Sequence, residues 1–258
     1  GEVARLNAQP EIALEHFKYA AAYTPRSDYL RLQQAEELLS LGQVREAKKI
    51  TDEVELKEEP DLHLLKARIS ALELDFTQSE MELDSAIQLF RKSEDQKKVR
   101  ETVLMKVALL SGAKLYDRSI RALQNYLEQE PQDEVAFYFL GKIHGIQGRR
   151  QQSINAYKKA VQINKRFGSA YEALGLQYEL AGQYSEAIHT YQDSLAYTGN
   201  DPETLRKLAN LFLSQENYKE ALNYFQELLI VEPNNFPMTF RTALLHLKLK
   251  QYEESEAL

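Results

Sequence analysis

The amino-acid sequence predicts an all-α fold: a solenoid of antiparallel helix pairs. Small residues recur about every 34 positions, the apolar residues between them are spaced as on a helix face, and breakers are scarce, with seven prolines and ten glycines in 258 residues. A small residue, an aliphatic one and a large apolar one three positions further occur as Ala13-Leu14…Phe17, Ala86-Ile87…Phe90, Ser119-Ile120…Leu123, Ser153-Ile154…Tyr157, Ala187-Ile188…Tyr191 and Ala221-Leu222…Phe225. Ala47 and Ser255 keep the small position. The eight positions are separated by 34, 39, 33, 34, 34, 34 and 34 residues. Twelve residues upstream stands a second series, Ala35, Val107, Gly141, Gly175, Ala209 and Ala243.

Within the unit around Gly175, Tyr171, Leu174, Gly175 and Tyr178 line a first helix, and Gly182 breaks it, being free to take the left-handed conformation. Tyr184, Ala187, Ile188, Tyr191, Ser194 and Leu195 line a second helix, and Gly175 and Ala187 let the two approach closely. Ala20, Ala160 and Ser194 form a third small position, facing the following unit. Pro25, Pro131 and Pro233 are placed to end second helices. The 39-residue step puts about five extra residues in 62–86, lengthening that hairpin by a turn, and the N-terminal third is expected to be the least regular.

Composition narrows function. With 43% hydrophobic and 28% charged residues the chain is foldable rather than low-complexity. Its longest apolar run, Leu228-Leu229-Ile230-Val231, is far short of the roughly 20 residues of a membrane span. There is no cysteine, hence no thiol nucleophile and no Cys-ligated zinc; this favours the cytoplasm, with the bacterial envelope or its periplasmic side also compatible. The five histidines share no metal-ligand spacing, and His144 and His246 fall at the packing position of Tyr178. Phosphate-loop, dinucleotide, nucleophile-elbow and zinc-protease motifs are missing, so neither an enzyme nor a cofactor is expected. The chain opens Gly1-Glu2-Val3 and stops in helix-like sequence, so both ends read as cut.

These residues resemble the tetratricopeptide repeat family, a 34-residue helix-turn-helix with a pattern of aromatic, Leu-Gly, Tyr, then Ala, aromatic, Ala and Pro. Ser169 to Asn200 fits it best. The resemblance covers 1–258 as one solenoid: full units at about 28–61, 62–99, 100–133, 134–167, 168–201 and 202–235, and partial units at 1–27 and 236–258. It implies a right-handed superhelix whose first helices line a concave side. Tyr126 and Leu228 stand where the family prefers small residues, and Thr51 where it prefers a large apolar one.

By this resemblance the inward positions are Tyr138, Lys142, Glu172, Leu176, Glu179, Arg206, Asn210, Leu213, Phe240 and Leu244. An apolar stripe flanked by charge suits a partner helix or extended peptide, so the expected role is a protein-interaction scaffold or adaptor that binds a peptide, helix or small domain of another protein. Family members that grip acidic chaperone tails use a carboxylate clamp. Arg206 and Asn210 resemble its first pair, but Arg241 stands where asparagine belongs, leaving a generic anion contact at Arg206 and Arg241.

Charge is segregated. Residues 135–171 hold seven basic side chains and no acidic ones, between flanks that are each net −7. Lys142 is inward; Arg149, Arg150, Lys158, Lys159, Lys165 and Arg166 form a secondary basic patch on the second helix and turns. Nucleic acid is disfavoured as a partner by the net charge of −7 and the lack of a basic groove with interleaved aromatics. Two other roles fit the same residues: a targeting or regulatory module of a larger protein, and a structural solenoid that self-associates through an under-covered C-terminal hairpin bearing Phe240, Leu244 and Leu247.

Overall fold

The computed structural model describes residues 9–24, 27–56 and 58–256. Among these the regular elements are fourteen helices and no strand. They fall into two compact units, 1–126 and 127–258. The first holds α1 (Pro10–Tyr23), α2 (Asp28–Ser40), α3 (Val44–Asp52), α4 (Pro60–Leu72), α5 (Phe76–Lys92), α6 (Gln96–Gly112) and α7 (Tyr116–Leu127), which ends at the boundary. The second holds α8 (Glu134–Ile146), α9 (Arg150–Ile163), α10 (Gly168–Leu180), α11 (Tyr184–Thr198), α12 (Pro202–Ser214), α13 (Tyr218–Val231) and α14 (Phe236–Glu256). Pro25 lies outside the described residues; Pro131 and Pro233 follow the ends of α7 and α13.

Seven connections share one tight turn. The N–H of Gly182 donates to the Glu179 carbonyl at 2.9 Å and that of Gln183 to Tyr178 at 2.9 Å, satisfying carbonyls that the end of α10 leaves open. Gly42, Leu74, Glu94, Lys114, Gly148 and Glu216 repeat the pattern, all at positive φ. Four of the seven are not glycine, and each pays for its Cβ in the left-handed region. Aspartates start several helices: Asp75, Asp95, Asp133 and Asp201 each accept a backbone N–H of the first turn at 2.8–3.0 Å.

Inside each hairpin a small residue of the first helix faces a larger one sixteen positions later on the second. The pairs are Ala35/Thr51, Ala67/Leu83, Val107/Leu123, Gly141/Tyr157, Gly175/Tyr191 and Ala209/Phe225, all buried. Size is exchanged across the contact: the two glycines face the two tyrosines. A Cβ on Gly175 would meet the Tyr191 ring at 2.4 Å, and one on Gly141 the Tyr157 ring at 2.7 Å. Where serine fills the small second-helix position, its hydroxyl donates to the first-helix carbonyl: Ser79 to Ala67 at 2.8 Å, Ser119 to Val107 at 3.5 Å and Ser153 to Gly141 at 2.7 Å.

This contact corrects the expected register. Ser79, not Ala86, meets the first helix of its hairpin. Ala86 is equally buried because it lies seven residues, two turns, further along the same face of α5. The additional residues therefore follow Ser79 rather than preceding Ala86, and they extend α5 and α6 to 17 residues each. The long helices are pinned by charge. Lys106, 7% exposed, donates from α6 to Glu80 at 2.9 Å and Asp84 at 2.8 Å on α5, and Arg118 of α7 donates to the same Glu80 at 2.7 Å. Burial works to raise the Glu80 carboxyl, but hydrogen bonds from Lys106 and Arg118 outweigh it and hold its pKa below the ordinary value.

The C-terminal hairpin is also corrected. The α14 helix runs unbroken from Phe236 to Glu256, through the position where a turn was expected. Met238, Thr242 and Leu245 pack it down, while Ala243 is exposed because no second helix lies on it among the described residues.

Two outcomes test this packing. Gly175→Ala is expected to cost about 1–3 kcal/mol in urea denaturation, with Tyr191→Leu in the same chain recovering part of the loss. Lys114→Gly, which relieves a left-handed residue, is expected to raise stability by about 0.5–1 kcal/mol in the same assay.

Candidate interaction site

In the second unit the first helices α8, α10, α12 and α14 share one register, so that residues 34 apart occupy equivalent places. One row is Tyr138, Glu172, Arg206 and Phe240; the next is Lys142, Leu176, Asn210 and Leu244. A third place holds Glu179 and Leu213.

The polar members are largely tied to their own neighbours. Glu172 accepts from Lys207 at 3.1 Å, and Lys207 also lies 5.6 Å above the Tyr191 ring. Glu179 accepts the Tyr191 hydroxyl at 2.5 Å. Arg206 is ion-paired with Glu203 and, at 3.2 Å, with Glu232, whose carboxylate also takes Asn235 at 2.7 Å. Arg241 donates to Asn210 at 3.4 Å. Both arginines expected to offer an anion contact are thus engaged internally, because glutamate and asparagine stand within reach on adjacent turns and helices.

The apolar members divide. Leu213 and Tyr138 are half-buried, Tyr138 resting 5.7 Å from Tyr157 and 5.2 Å from Phe167. Leu176, Phe240 and Leu244 are 42%, 65% and 49% exposed, and Leu247 extends the stripe on α14. Lys142 is exposed beside them.

The basic patch does not stay together. Arg149 and Arg150 lie exposed at the α8–α9 turn, Lys159 points outward from α9, and Arg166 lies in the loop before α10. Lys158 and Lys165 instead sit over aromatic rings, 5.5 Å from Tyr178 and 5.2 Å from Tyr197. Of the two histidines assigned to packing, His144 is buried, and burial with the nearby Arg149 charge lowers its pKa; His246 is exposed, 3.4 Å from Gln226. Among the described residues no three His, Asp or Glu side chains are grouped to hold a metal, and no helix is long and apolar enough to cross a membrane. Sequence reasoning missed the role of Lys207. Its only signal was a position 35 residues beyond Glu172, one off the repeat.

Residues 46–245 match the family described as the tetratricopeptide repeat protein 21 C-terminal ARM domain. The chain belongs to this family. Its helical repeats are generally non-enzymatic protein-interaction scaffolds. Among solved structures, the C-terminal part of a TPR repeat-containing protein from Cytophaga hutchinsonii aligns with a TM-score of 0.68 at 12% identity, covering 92% of this chain and 96% of that one. A tetratricopeptide repeat protein from Parabacteroides merdae gives 0.53 at 12% identity, with 95% of each chain covered. The MamA protein gives 0.53 at 19% identity, over 67% and 92%. At these identities the likeness is one of fold. Human protein O-mannosyl-transferase TMTC1 is 28% identical over 155 residues, 59% of this chain, and that stretch is 17% of its own length.

Tyr191 gives the first-helix face a pH signature. Burial, the hydrogen bond to Glu179 and the charges of Glu179, Glu172 and Glu203 all push its hydroxyl well above the ordinary value of 10.0. Above about pH 10 the unfolded tyrosine loses its proton while the folded one keeps it, so the unfolded state binds fewer protons and stability falls as pH rises. Urea midpoints between pH 8 and 11 are expected to decline less steeply in Tyr191→Phe than in the native chain.

Proposed function

We propose that this chain is a non-enzymatic adaptor that holds a peptide, helix or small domain of another protein on the first-helix face of its second unit. One observation carries the reading: Leu176 of α10 and Leu244 of α14 stay exposed at repeat-equivalent places, with exposed Phe240 one turn before Leu244, while Glu172, Glu179, Arg206 and Asn210 are satisfied within the fold. Exposed apolar side chains on the first helices α10 and α14 are surface that hydrophobic contact with a partner would cover. Lys142 is the exposed charge beside these residues. Membership of a helical-repeat family supports the scaffold role.

A second reading has its own support. The exposed row Phe240, Leu244 and Leu247 on α14 would also serve self-association, and static light scattering over a concentration series separates the two, a persistent monomer removing the second. The TMTC1 match, a small part of a much longer protein, supports a further proposal that this chain acts as a targeting or regulatory module within a larger polypeptide.

Replacing the native residues by Leu176→Glu or Phe240→Glu is expected to weaken partner capture at least tenfold with unchanged helical circular dichroism. Photo-crosslinking from position 176 should yield the same partner that the variants lose. Normal capture by both variants would remove the first-helix face from consideration.

A further inference from the structure

The second helices of the same unit frame a different surface. Between α9 and α11, with α10 as its floor, lies an open groove of about 680 Å³. Tyr171, Leu174 and Tyr178 lie beneath it, buried to 4–6% exposure, and Tyr197, 42% exposed, stacks near Tyr171 with ring centroids 6.2 Å apart. One wall carries Lys158 and, just past the end of α9, Lys165. The other carries Glu186 and Asp193 of α11.

The two walls are opposite in sign and do not neutralise each other. Each lysine lies over a tyrosine ring, and among the described residues neither has a carboxylate at ion-pair distance. Asp193 lies 3.3 Å from the exposed His189, and among the described residues the Glu186 carboxylate has no hydrogen-bond or ion-pair partner. The groove is therefore aromatic below, positive along one edge and negative along the other. Spacing adds a second constraint. Tyr171 to Tyr178 on the floor and Glu186 to Asp193 on the wall each span seven helical residues, about 10.5 Å. A helix lying in the groove repeats its own edge residues at that two-turn interval, whereas an extended strand repeats them every ~6.7 Å.

We propose that this groove holds one amphipathic helix of a partner protein, with an apolar stripe over Tyr197 and the edges of the rings beneath it, Asp or Glu along the edge facing Lys158 and Lys165, and Lys or Arg along the edge facing Glu186 and Asp193. The surface is separate from Leu176, Phe240 and Leu244 and does not rest on their role. It gives two lysines of the basic patch a defined counterpart and leaves Arg149, Arg150, Lys159 and Arg166 outside the contact.

Three synthetic helical peptides with the same leucine stripe test it on the full chain by fluorescence anisotropy: one with a Glu edge and a Lys edge, one with Glu on both edges and one with Lys on both. The mixed peptide is expected to bind at least tenfold tighter than either other, with the preference weakening in high salt as screening shortens the reach of exposed charges. The double variant Lys158→Glu/Lys165→Glu should move the preference to the all-Lys peptide, and Glu186→Lys/Asp193→Lys to the all-Glu peptide. The same charge change outside the groove, Arg150→Glu/Lys159→Glu, should leave the ranking untouched, as should Leu176→Glu. Equal binding or no binding by the three peptides overturns the proposal. So does a ranking that follows overall charge in the Arg150/Lys159 control, or binding of the mixed peptide that is lost in Leu176→Glu.

Discussion

Everything in this architecture depends on how closely the two helices of a hairpin can approach. The approach is set by one pair of side chains sixteen residues apart, and its members trade volume: glycine opposite tyrosine at 141/157 and 175/191, alanine opposite phenylalanine at 209/225, valine opposite leucine at 107/123. Dense packing leaves little room at such a point, so the bulkiest partners, the two tyrosines, stand opposite the smallest residue, glycine. Serine at the neighbouring small position adds a hydrogen bond to the facing carbonyl without adding bulk.

The two units answer the same problem differently. In the second, hairpins of nearly constant length follow one another at 34 residues, and equivalent positions build rows on each face. In the first, α3 has only nine residues while α5 and α6 have 17, and left-handed turns at Leu74, Glu94 and Lys114 follow at 20-residue intervals. There Lys106, Glu80, Asp84 and Arg118 tie three helices by charge. A buried lysine is tolerable only because two carboxylates meet it, and Glu80 is held ionised by two cations.

The faces of the second unit also differ in kind. On the first-helix side, Glu172, Glu179, Arg206 and Arg241 are engaged within the fold, and Leu176, Phe240 and Leu244 are left exposed. On the second-helix side, tyrosines form a floor and unmatched charges line the edges. A repeat protein can offer two unlike surfaces in this way because each helix contributes one stripe to its own hairpin and is free in composition on the stripe that remains.

The sequence by itself determined the helical class, the hairpin unit and the small-residue positions from Ser119 to Ala221, because a period of 34 and a helical period of 3.6 both survive in one dimension. The resemblance to tetratricopeptide repeats was legible at Tyr171, Leu174, Gly175, Tyr178 and Ala187 for the same reason. Tertiary structure alone decided which of Ser79 and Ala86 touches α4, since both lie on one face of α5 and only the partner helix distinguishes them. It alone showed that Arg206 and Arg241 are spent on Glu203, Glu232 and Asn210, that α14 continues through its expected turn, and that two lysines of a dispersed patch share a groove with two acids of the next hairpin. Such pairings depend on distances between helices, and a linear pattern records position along each helix but not which neighbour a flexible charged side chain will reach.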